Sequence, residues 1–254
     1  MPDLVKGKKF VRNIKLTLQY DGTRYSGWQI QKNATSIQEL VENAVTRITG
    51  AKTHVTASGR TDAGVHARAQ VANFKTRHPI SIERLQMALN SALPKDIVVT
   101  HIVEAALSFN AQHSAKSKIY RYTIVNNNFI DPFIRRFAAK VFFKLDLGCM
   151  RRSAGDLVGR HNFKAFQAVD DHERASVRTV KGISIKKEGD IIYIDIEADG
   201  FLYNMARNIA GTLVEIGRGK FPETRIKELL KTGKRNACGP TMPARGLCLM
   251  EVKY

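Results

Sequence analysis

Apolar and polar positions follow two distinct periodicities in the first hundred residues. In the segment NIKLTLQY, residues 13–20, apolar side chains occupy every second position, which predicts a half-buried β-strand. In residues 35–50 they recur three and four positions apart, which predicts an amphipathic helix. Ser36 and Glu39 have the spacing of a capping box at its start, and Gly50 lies just past its end.

The same two patterns continue to about residue 105. Two short strands are predicted at 54–59 and 67–75, a second helix at 81–94, and a closing strand at 96–104. The predicted order is therefore β-α-β-β-α-β, the split βαβ arrangement, in which helices cover one face of an antiparallel sheet.

The second half of the chain repeats this mixture with longer insertions. Strands are predicted at 118–126, 137–143, 178–188, 190–198 and 246–253, and helices at 147–160, 200–219 and 221–233. We therefore predict an α+β fold of two related domains, residues 1–105 and 106–254. Each domain would have a split βαβ-type antiparallel sheet with helices on its outer face, leaving a central cleft between the sheets.

Net charge and amino-acid composition limit the kinds of function that this chain can have. The 41 Lys and Arg residues exceed the 23 Asp and Glu residues and give a formal net charge of +18, which favours a polyanionic partner such as nucleic acid. No apolar run approaches the length of a membrane span or of a secretory leader. The three cysteines form no CxxC pair. We expect a soluble cytoplasmic protein with no membrane association and with reduced thiols.

The turn TASGRTDAGVHARAQ, residues 56–70, contains a candidate catalytic acid. Asp62 lies between a basic residue and a glycine, and Asp with Gly is common in turns for purely local reasons. A turn between two strands also projects its side chains beyond the sheet, where they can face a ligand. Asp62 is thus either a turn residue or the acid of a site that binds an anion.

Two other segments could line the same cleft. Tyr120 and Tyr122 are two positions apart on a predicted strand, so they share a face beside Arg121, as in an aromatic platform for an unstacked base. The alternative is that both rings pack on a helix. Arg207 lies one turn from Tyr203 and off the apolar stripe of its predicted helix, so it is either a surface residue or a partner of a carboxylate or phosphate.

Taken together, these strings resemble a known family. SGRTDAGVHA, KIYRY, GFLYNMARNIAG and ARGLCLMEV, with the opening LQYDGTRYSGWQIQ, are similar to the motif set of the tRNA pseudouridine synthase A family, in the same order and over nearly the whole chain. The resemblance implies the pseudouridine synthase fold. It also implies isomerisation of uridine to pseudouridine at positions 38, 39 and 40 in the anticodon stem-loop of tRNA, by a homodimer.

The resemblance also implies roles for particular residues. Asp62 matches the catalytic aspartate, a nucleophile, and Arg207 the arginine that pairs with it. Tyr120 matches the tyrosine that stacks on the target uracil. Arg60 matches the arginine that helps to displace the target nucleotide, and Leu247 the apolar residue that packs against the flipped base.

The chemistry leaves several steps open. A carboxylate could attack the sugar, act there as a base in an elimination, or add to the base ring, and Tyr120 or a water could remove the C5 proton. The isomerisation needs no cofactor or metal, and the sequence has no P-loop, no GxGxxG after a strand and no His/Cys cluster at ligand spacing.

Two other function classes fit part of the pattern. An RNA-binding module without catalysis would use the same basic charge and aromatic residues, but an acid at its centre would oppose phosphate binding. An RNA methyltransferase would normally need a glycine-rich loop, and a nuclease paired acids or catalytic histidines. His66 and His113 are isolated and are expected to be surface or structural residues.

Overall fold

The computed structural model describes residues 10–168 and 175–254, which contain ten strands and five α-helices. The strands are β1 Arg12–Tyr20, β2 Thr56–Ala57, β3 His66–Thr76, β4 Ile97–Ala105, β5 Ser117–Val125, β6 Ala139–Lys140, β7 Gly159–Asn162, β8 Val177–Glu188, β9 Ile191–Ala198 and β10 Leu247–Lys253. The α-helices are α1 Ile37–Thr49, α2 Ile82–Ala92, α3 Leu147–Gly155, α4 Met205–Gly217 and α5 Arg225–Thr232. The predicted α+β class and the β-α-β-β-α-β order of the first half are confirmed.

All ten strands belong to one sheet. Its order is β4-β1-β3-β10-β5-β9-β8-β7, with β2 added to β3 and β6 to β5. The last strand joins the halves, because β10 pairs in parallel with β3 and antiparallel with β5. The two sheets that we expected, with a cleft between them, are therefore parts of one sheet joined edge to edge through β10. The cavity lies beside this join.

Local signals explain the first half well. The apolar positions of β1 predicted to face the core, Ile14, Leu16 and Leu18, are fully buried. The Ser36 hydroxyl accepts a hydrogen bond from the Glu39 N–H at the start of α1. Gly50 ends this helix with a φ of 70°, a left-handed conformation that costs glycine little.

The second half departs from prediction at three places. The helix expected over 147–160 ends at Gly155, and β7 begins at Gly159, whose φ of 111° cannot continue a helix. The helix expected from residue 200 begins only at Met205, after Asn204, whose φ of 59° is also left-handed. The strand expected over 137–143 is reduced to β6.

Helix α4 is the most buried helix of the second half. Every residue from Asn208 to Gly217 is buried. The segment around Pro240 crosses so close to it that a Cβ on Gly211 would lie 1.9 Å from the Pro240 carbonyl oxygen. This close crossing brings the backbone of Met242 next to the first turn of α4, where Arg207 lies.

No helix in residues 10–168 and 175–254 has the length and apolar character that crossing a membrane requires.

Candidate active site

A cavity of about 1030 Å³ lies beside the join between β3, β10 and β5. Asp62 and Arg60, from the loop between β2 and β3, line it. Tyr120 of β5 and Leu247, the first residue of β10, line it as well. Four of the five side chains singled out in the sequence therefore meet at one cavity, although they come from both ends of the chain.

The turn that carries Asp62 is held by its neighbours. The Thr61 carbonyl accepts a hydrogen bond of 2.9 Å from the Trp28 N–H. The Thr61 hydroxyl lies 2.9 Å from the Tyr20 hydroxyl. Gly64 has a φ of 76°, which a side chain would strain. Asp62 thus lies in a glycine turn and also faces the cavity, so the two roles considered for it are compatible.

Arg207 provides the charge that faces Asp62. Its Nη1 lies 3.6 Å from Asp62 Oδ2, an ion pair slightly longer than a hydrogen bond. Arg207 Nε donates to the Met242 carbonyl at 2.7 Å, and Nη1 donates to the Asn204 side-chain oxygen at 2.5 Å. Because these two acceptors are neutral, they orient the guanidinium without neutralising its charge.

Burial and Arg207 act on Asp62 in opposite directions. Burial raises the pKa of the Asp62 carboxyl above its ordinary value, and the Arg207 charge lowers it, with burial the larger effect. The carboxylate is therefore partly desolvated, with 27% of its side chain still exposed, and Arg207 is the cation that favours its ionised form. Such a group is a stronger base and nucleophile than an exposed aspartate.

Tyr120 places its ring on the wall of the cavity. The ring is 7% exposed and packs edge-on against Phe201, with centroids 4.8 Å apart. Burial raises the pKa of its phenol, with smaller contributions from Tyr20 and Asp62, so the neutral hydroxyl is strongly favoured. The ring is thus fixed, polar at one end, and electrostatically coupled to Asp62.

Tyr122 is different from Tyr120, although both lie on the same face of β5. It is fully buried, and its hydroxyl donates to the Pro243 carbonyl at 2.7 Å. A Cβ on Gly246 would lie 2.6 Å from its ring, so the chain passes directly over it. The predicted platform is therefore one ring, and the packing alternative holds for the other.

Leu247 and Arg60 differ in exposure. Leu247 is 5% exposed and pairs in register with Tyr122 where β10 begins, so its place in the cavity wall is fixed by the sheet. Arg60 is exposed, two residues before Asp62, and is free to reach toward a bound molecule.

Sequence reasoning missed two cations that also line the cavity, Lys118 and Arg178. Lys118 is two residues before Tyr120 on β5, so strand alternation could have placed it on the same face. Arg178 is near the start of β8 and far away in sequence, and no local signal points to it. Burial lowers the pKa of the Lys118 ammonium, and the Arg178 charge lowers it further.

His66 has a structural role, as expected. Its Nδ1 accepts from the Gly22 N–H at 3.0 Å, and its Nε2 lies 2.8 Å from the Arg136 carbonyl, to which it donates in this tautomer. Burial lowers its pKa and favours this neutral ring. Within the described residues, no group of three His, Cys, Asp or Glu side chains is arranged to hold a metal ion.

Comparison with known proteins adds a family to this geometry. The family model described as tRNA pseudouridine synthase matches residues 17–114 and 154–254. The chain is 43% identical to tRNA pseudouridine synthase A of Thermoanaerobacter sp. (strain X514), over 96% of this chain and 100% of that protein. It is 47% identical to tRNA pseudouridine synthase A of Moorella thermoacetica, over 95% of this chain and 99% of that protein.

A comparison of structures adds a more distant likeness. The archaeal box H/ACA sRNP Nop10-Cbf5 complex contains a chain that matches with a TM-score of 0.36 and 11% identity, over 94% of this chain and 48% of that chain. This likeness is too distant to bear on function.

Proposed function

The chain belongs to the tRNA pseudouridine synthase family and is an isomerase that converts uridine to pseudouridine in tRNA, and we propose that its targets are uridines 38, 39 and 40 of the anticodon stem-loop. The observation that carries the proposed chemistry is the ion pair of Asp62 and Arg207 at a cavity that also contains Tyr120. The positions in tRNA rest on the likeness of its motif strings to those of the tRNA pseudouridine synthase A family.

We propose that Asp62 is the catalytic nucleophile. The reaction breaks the N1–C1′ bond, turns the uracil, and forms a C5–C1′ bond, while C5 loses a proton and N1 gains one. A carboxylate close to the sugar can take the place of N1 at C1′ until C5 attacks. Arg207, 3.6 Å away, keeps the carboxylate ionised and oriented.

The other side chains of the cavity would hold the flipped base. Flipping a nucleotide costs roughly a few kcal/mol, and stacking on an aromatic ring returns about 1–3 kcal/mol. Tyr120 has the fixed ring for this stacking, and Leu247 would pack against the base as well. Arg60 is exposed and lies in the turn that carries Asp62. Its side chain would occupy the space in the RNA that the flipped base leaves.

The partner we propose is tRNA, bound by a homodimer in the cytoplasm. The net charge of +18 suits a phosphate backbone, and binding should weaken as salt rises. Between β5 and α3, three phenylalanine side chains, which we call the phenylalanine surface, are largely exposed: Phe129 at 83%, Phe133 at 89% and Phe142 at 60%. Burial of these rings against a second copy would remove apolar area from water. We propose that this phenylalanine surface is where two copies meet.

The dimer is tested by sedimentation of the purified protein and of its Phe133→Asp variant. A dimer that Phe133→Asp converts to a folded monomer supports the proposal. A wild-type protein that sediments as a monomer at all accessible concentrations contradicts it.

The catalytic proposal is tested by tritium release from anticodon stem-loop RNA labelled at C5 of uridine, with RNA binding measured in parallel. Wild type should release tritium, and Asp62→Asn should bind RNA but release none. Equal release from both proteins would exclude Asp62 as the nucleophile. Tight binding without release from wild type would contradict the activity itself.

A further inference from the structure

We infer that Lys118 and Arg178 form a subsite for one backbone phosphate next to the target uridine. The inference rests on the proposed function, because it takes the cavity around Asp62 and Tyr120 as the place where the nucleotide is bound. It adds two residues that bind substrate without taking part in bond making.

The position of Lys118 relative to Tyr120 is the first argument. Both are on β5, and residues two apart on a strand point to the same face, roughly 7 Å from each other. Both line the cavity. A base stacked on Tyr120 therefore has its own sugar and phosphate within reach of the Lys118 ammonium.

The contact between Lys118 and the catalytic turn is the second argument. A Cβ on Gly59 would lie 2.9 Å from Lys118 Nζ, so the ammonium lies directly over this glycine. The Gly59 carbonyl accepts from the Gln70 side chain at 2.8 Å, which holds the turn in place below it. Lys118 thus lies at the start of the turn that carries Arg60 and Asp62.

Arg178 is held in place by neutral groups. Its Nη1 donates to the carbonyls of Ala175 and Val177, both at 2.7 Å, so neutral groups fix the guanidinium at the edge of the cavity. Its side chain also passes close to Gly200, where a Cβ would lie 3.1 Å from Nε. Arg178 is therefore a fixed cation whose charge these two carbonyl acceptors do not neutralise.

Lys118 and Arg178 line the same cavity, and the charge of Arg178 disfavours the charged form of Lys118. Among the residues that the structure describes, no carboxylate forms an ion pair with Lys118 or Arg178. Burial and the Arg178 charge lower the pKa of Lys118, and a bound anion would oppose both effects because an opposite charge favours the charged ammonium. In a cavity that binds RNA, the anion that fits is a phosphodiester.

Removal of one charge should weaken RNA binding measurably. Lys118→Met keeps most of the apolar stem and deletes the ammonium. We expect the Kd for the anticodon stem-loop to rise about tenfold to a hundredfold, since a charge-assisted hydrogen bond is lost. The slope of log K against log salt should fall by about 0.7 if one phosphate contact disappears.

A double-mutant cycle tests the subsite, with Lys118→Met as the change in the protein and an uncharged phosphate as the change in the RNA. Binding of wild type and Lys118→Met is measured with two RNAs, one normal and one with a methylphosphonate at a phosphate flanking the target uridine. Both flanking positions are made in turn. At one position, the two changes together should weaken binding no more than the methylphosphonate does alone, because a neutral phosphate has already lost its charge contact with Lys118. Additive losses at both positions would overturn the inference.

Lys116→Met is the matched control. It removes the same charge two residues earlier, from an exposed side chain that does not line the cavity. Its effect should add to that of the methylphosphonate at both positions. If Lys116→Met couples to the phosphate as strongly as Lys118→Met, the coupling reflects general charge, and the subsite is disproved.

Gly59→Ala tests the geometry without deleting a charge. Its methyl group would push the Lys118 ammonium aside, and binding should weaken for normal RNA but not for the methylphosphonate RNA. Equal weakening for both RNAs would contradict the geometry.

Tritium release separates this inference from the proposed function. If wild type releases tritium, Asp62→Asn does not, and the cycle is additive, only the subsite fails. If Lys118→Met slows release with unchanged binding of both RNAs, Lys118 acts on proton transfer, and the phosphate role is overturned.

Discussion

The turn that carries Asp62 and the helix that carries Arg207 bring opposite charges to the same cavity, but different interactions hold them. The turn is held by a hydrogen bond from the Val65 N–H to the Asp62 carbonyl and by the left-handed Gly64. Arg207 depends on Asn204, which is left-handed without being glycine, and on the Met242 carbonyl, 35 residues away. The carboxylate is thus positioned through the backbone of its turn, which hydrogen bonds of Thr61 with Trp28 and Tyr20 also hold, whereas its cation is positioned through hydrogen bonds of its own side chain.

This difference predicts how the Asp62 turn and the Arg207 helix each respond to substitution. A change at Asp62 should remove chemistry and leave the turn intact, since the turn does not use the carboxylate. A change on the Arg207 side should alter both the electrostatics of Asp62 and the packing around α4. The predictions below test this contrast, from the largest expected effect to the smallest.

The largest effect is expected for Asp62→Asn, which removes the nucleophile and keeps the side-chain shape. Turnover should fall by at least about 10³-fold, as for other nucleophile deletions, while the melting temperature changes little. Single-turnover tritium release and thermal unfolding measure the two quantities. Asp62→Ala is the control for shape. A melting temperature that collapses in both variants would mean that the carboxylate also holds the turn.

Arg207→Met should reduce turnover by about 10²-fold, because one fixed charge at the reacting group is lost. It should also shift the pH profile. Arg207 lowers the pKa of Asp62 against the effect of burial, so its removal raises that pKa further. The ionised form is then lost at higher pH, and the acidic limb of the turnover profile should move upward. An unmoved limb would indicate that Arg207 does not act on Asp62.

Tyr120→Phe separates stacking from proton transfer. The ring remains, so RNA binding should stay within about threefold, because stacking does not need the hydroxyl. If the hydroxyl serves as an acid or base at C5, turnover should fall by about 10²-fold. Tyr122→Phe, at the buried neighbour, is the control and should lower stability more than turnover. Full activity of Tyr120→Phe would assign the C5 proton to a water.

Asn204 provides a finer test of how Arg207 is held. Asn204→Gly keeps the left-handed backbone at no steric cost but deletes the acceptor of Arg207 Nη1, so turnover should fall several-fold with stability nearly unchanged. Asn204→Ala deletes the same acceptor and adds a strain of roughly 1–2 kcal/mol. The difference between the two free energies of unfolding isolates the strain. Equal values would mean that α4 begins differently when Asn204 is replaced.

The same contrast explains how much could be predicted from sequence. The position of Asp62 depends on a glycine turn, and the orientation of Tyr120 depends on strand alternation. Both are local patterns that can be recognised in the sequence. The start of α4 depends on Asn204 adopting a left-handed conformation, which Asn tolerates better than most residues but which the apolar periodicity of the segment does not indicate. Strand alternation, which placed Tyr120, also puts Lys118 on the same face, but no local pattern indicates that Lys118 lines the cavity.

Sheet topology was the other part that local patterns could not provide. The pairing of β10 with β3 joins residues about 180 positions apart, Cys248 with His66, and only the packed structure brings them together. Each half of the chain has enough predicted strands to form a sheet of its own, so the pattern predicted two sheets. The cavity consequently lies beside a join within one sheet.

Ser36→Ala is expected to have the smallest effect on catalysis. It tests whether a change in the scaffold can lower stability without altering turnover. Ser36 is buried, caps α1 and is not among the residues that line the cavity. Its loss should lower the free energy of unfolding by about 1 kcal/mol, because the Glu39 N–H loses its acceptor. Tritium release by the folded fraction should be unchanged. Ser36→Thr restores the hydroxyl and should recover most of the stability. If Ser36→Ala instead slows turnover of the folded enzyme, α1 contributes to the alignment of Asp62, through the hydrogen bonds that join Gln38 to Trp28 and Trp28 to Thr61.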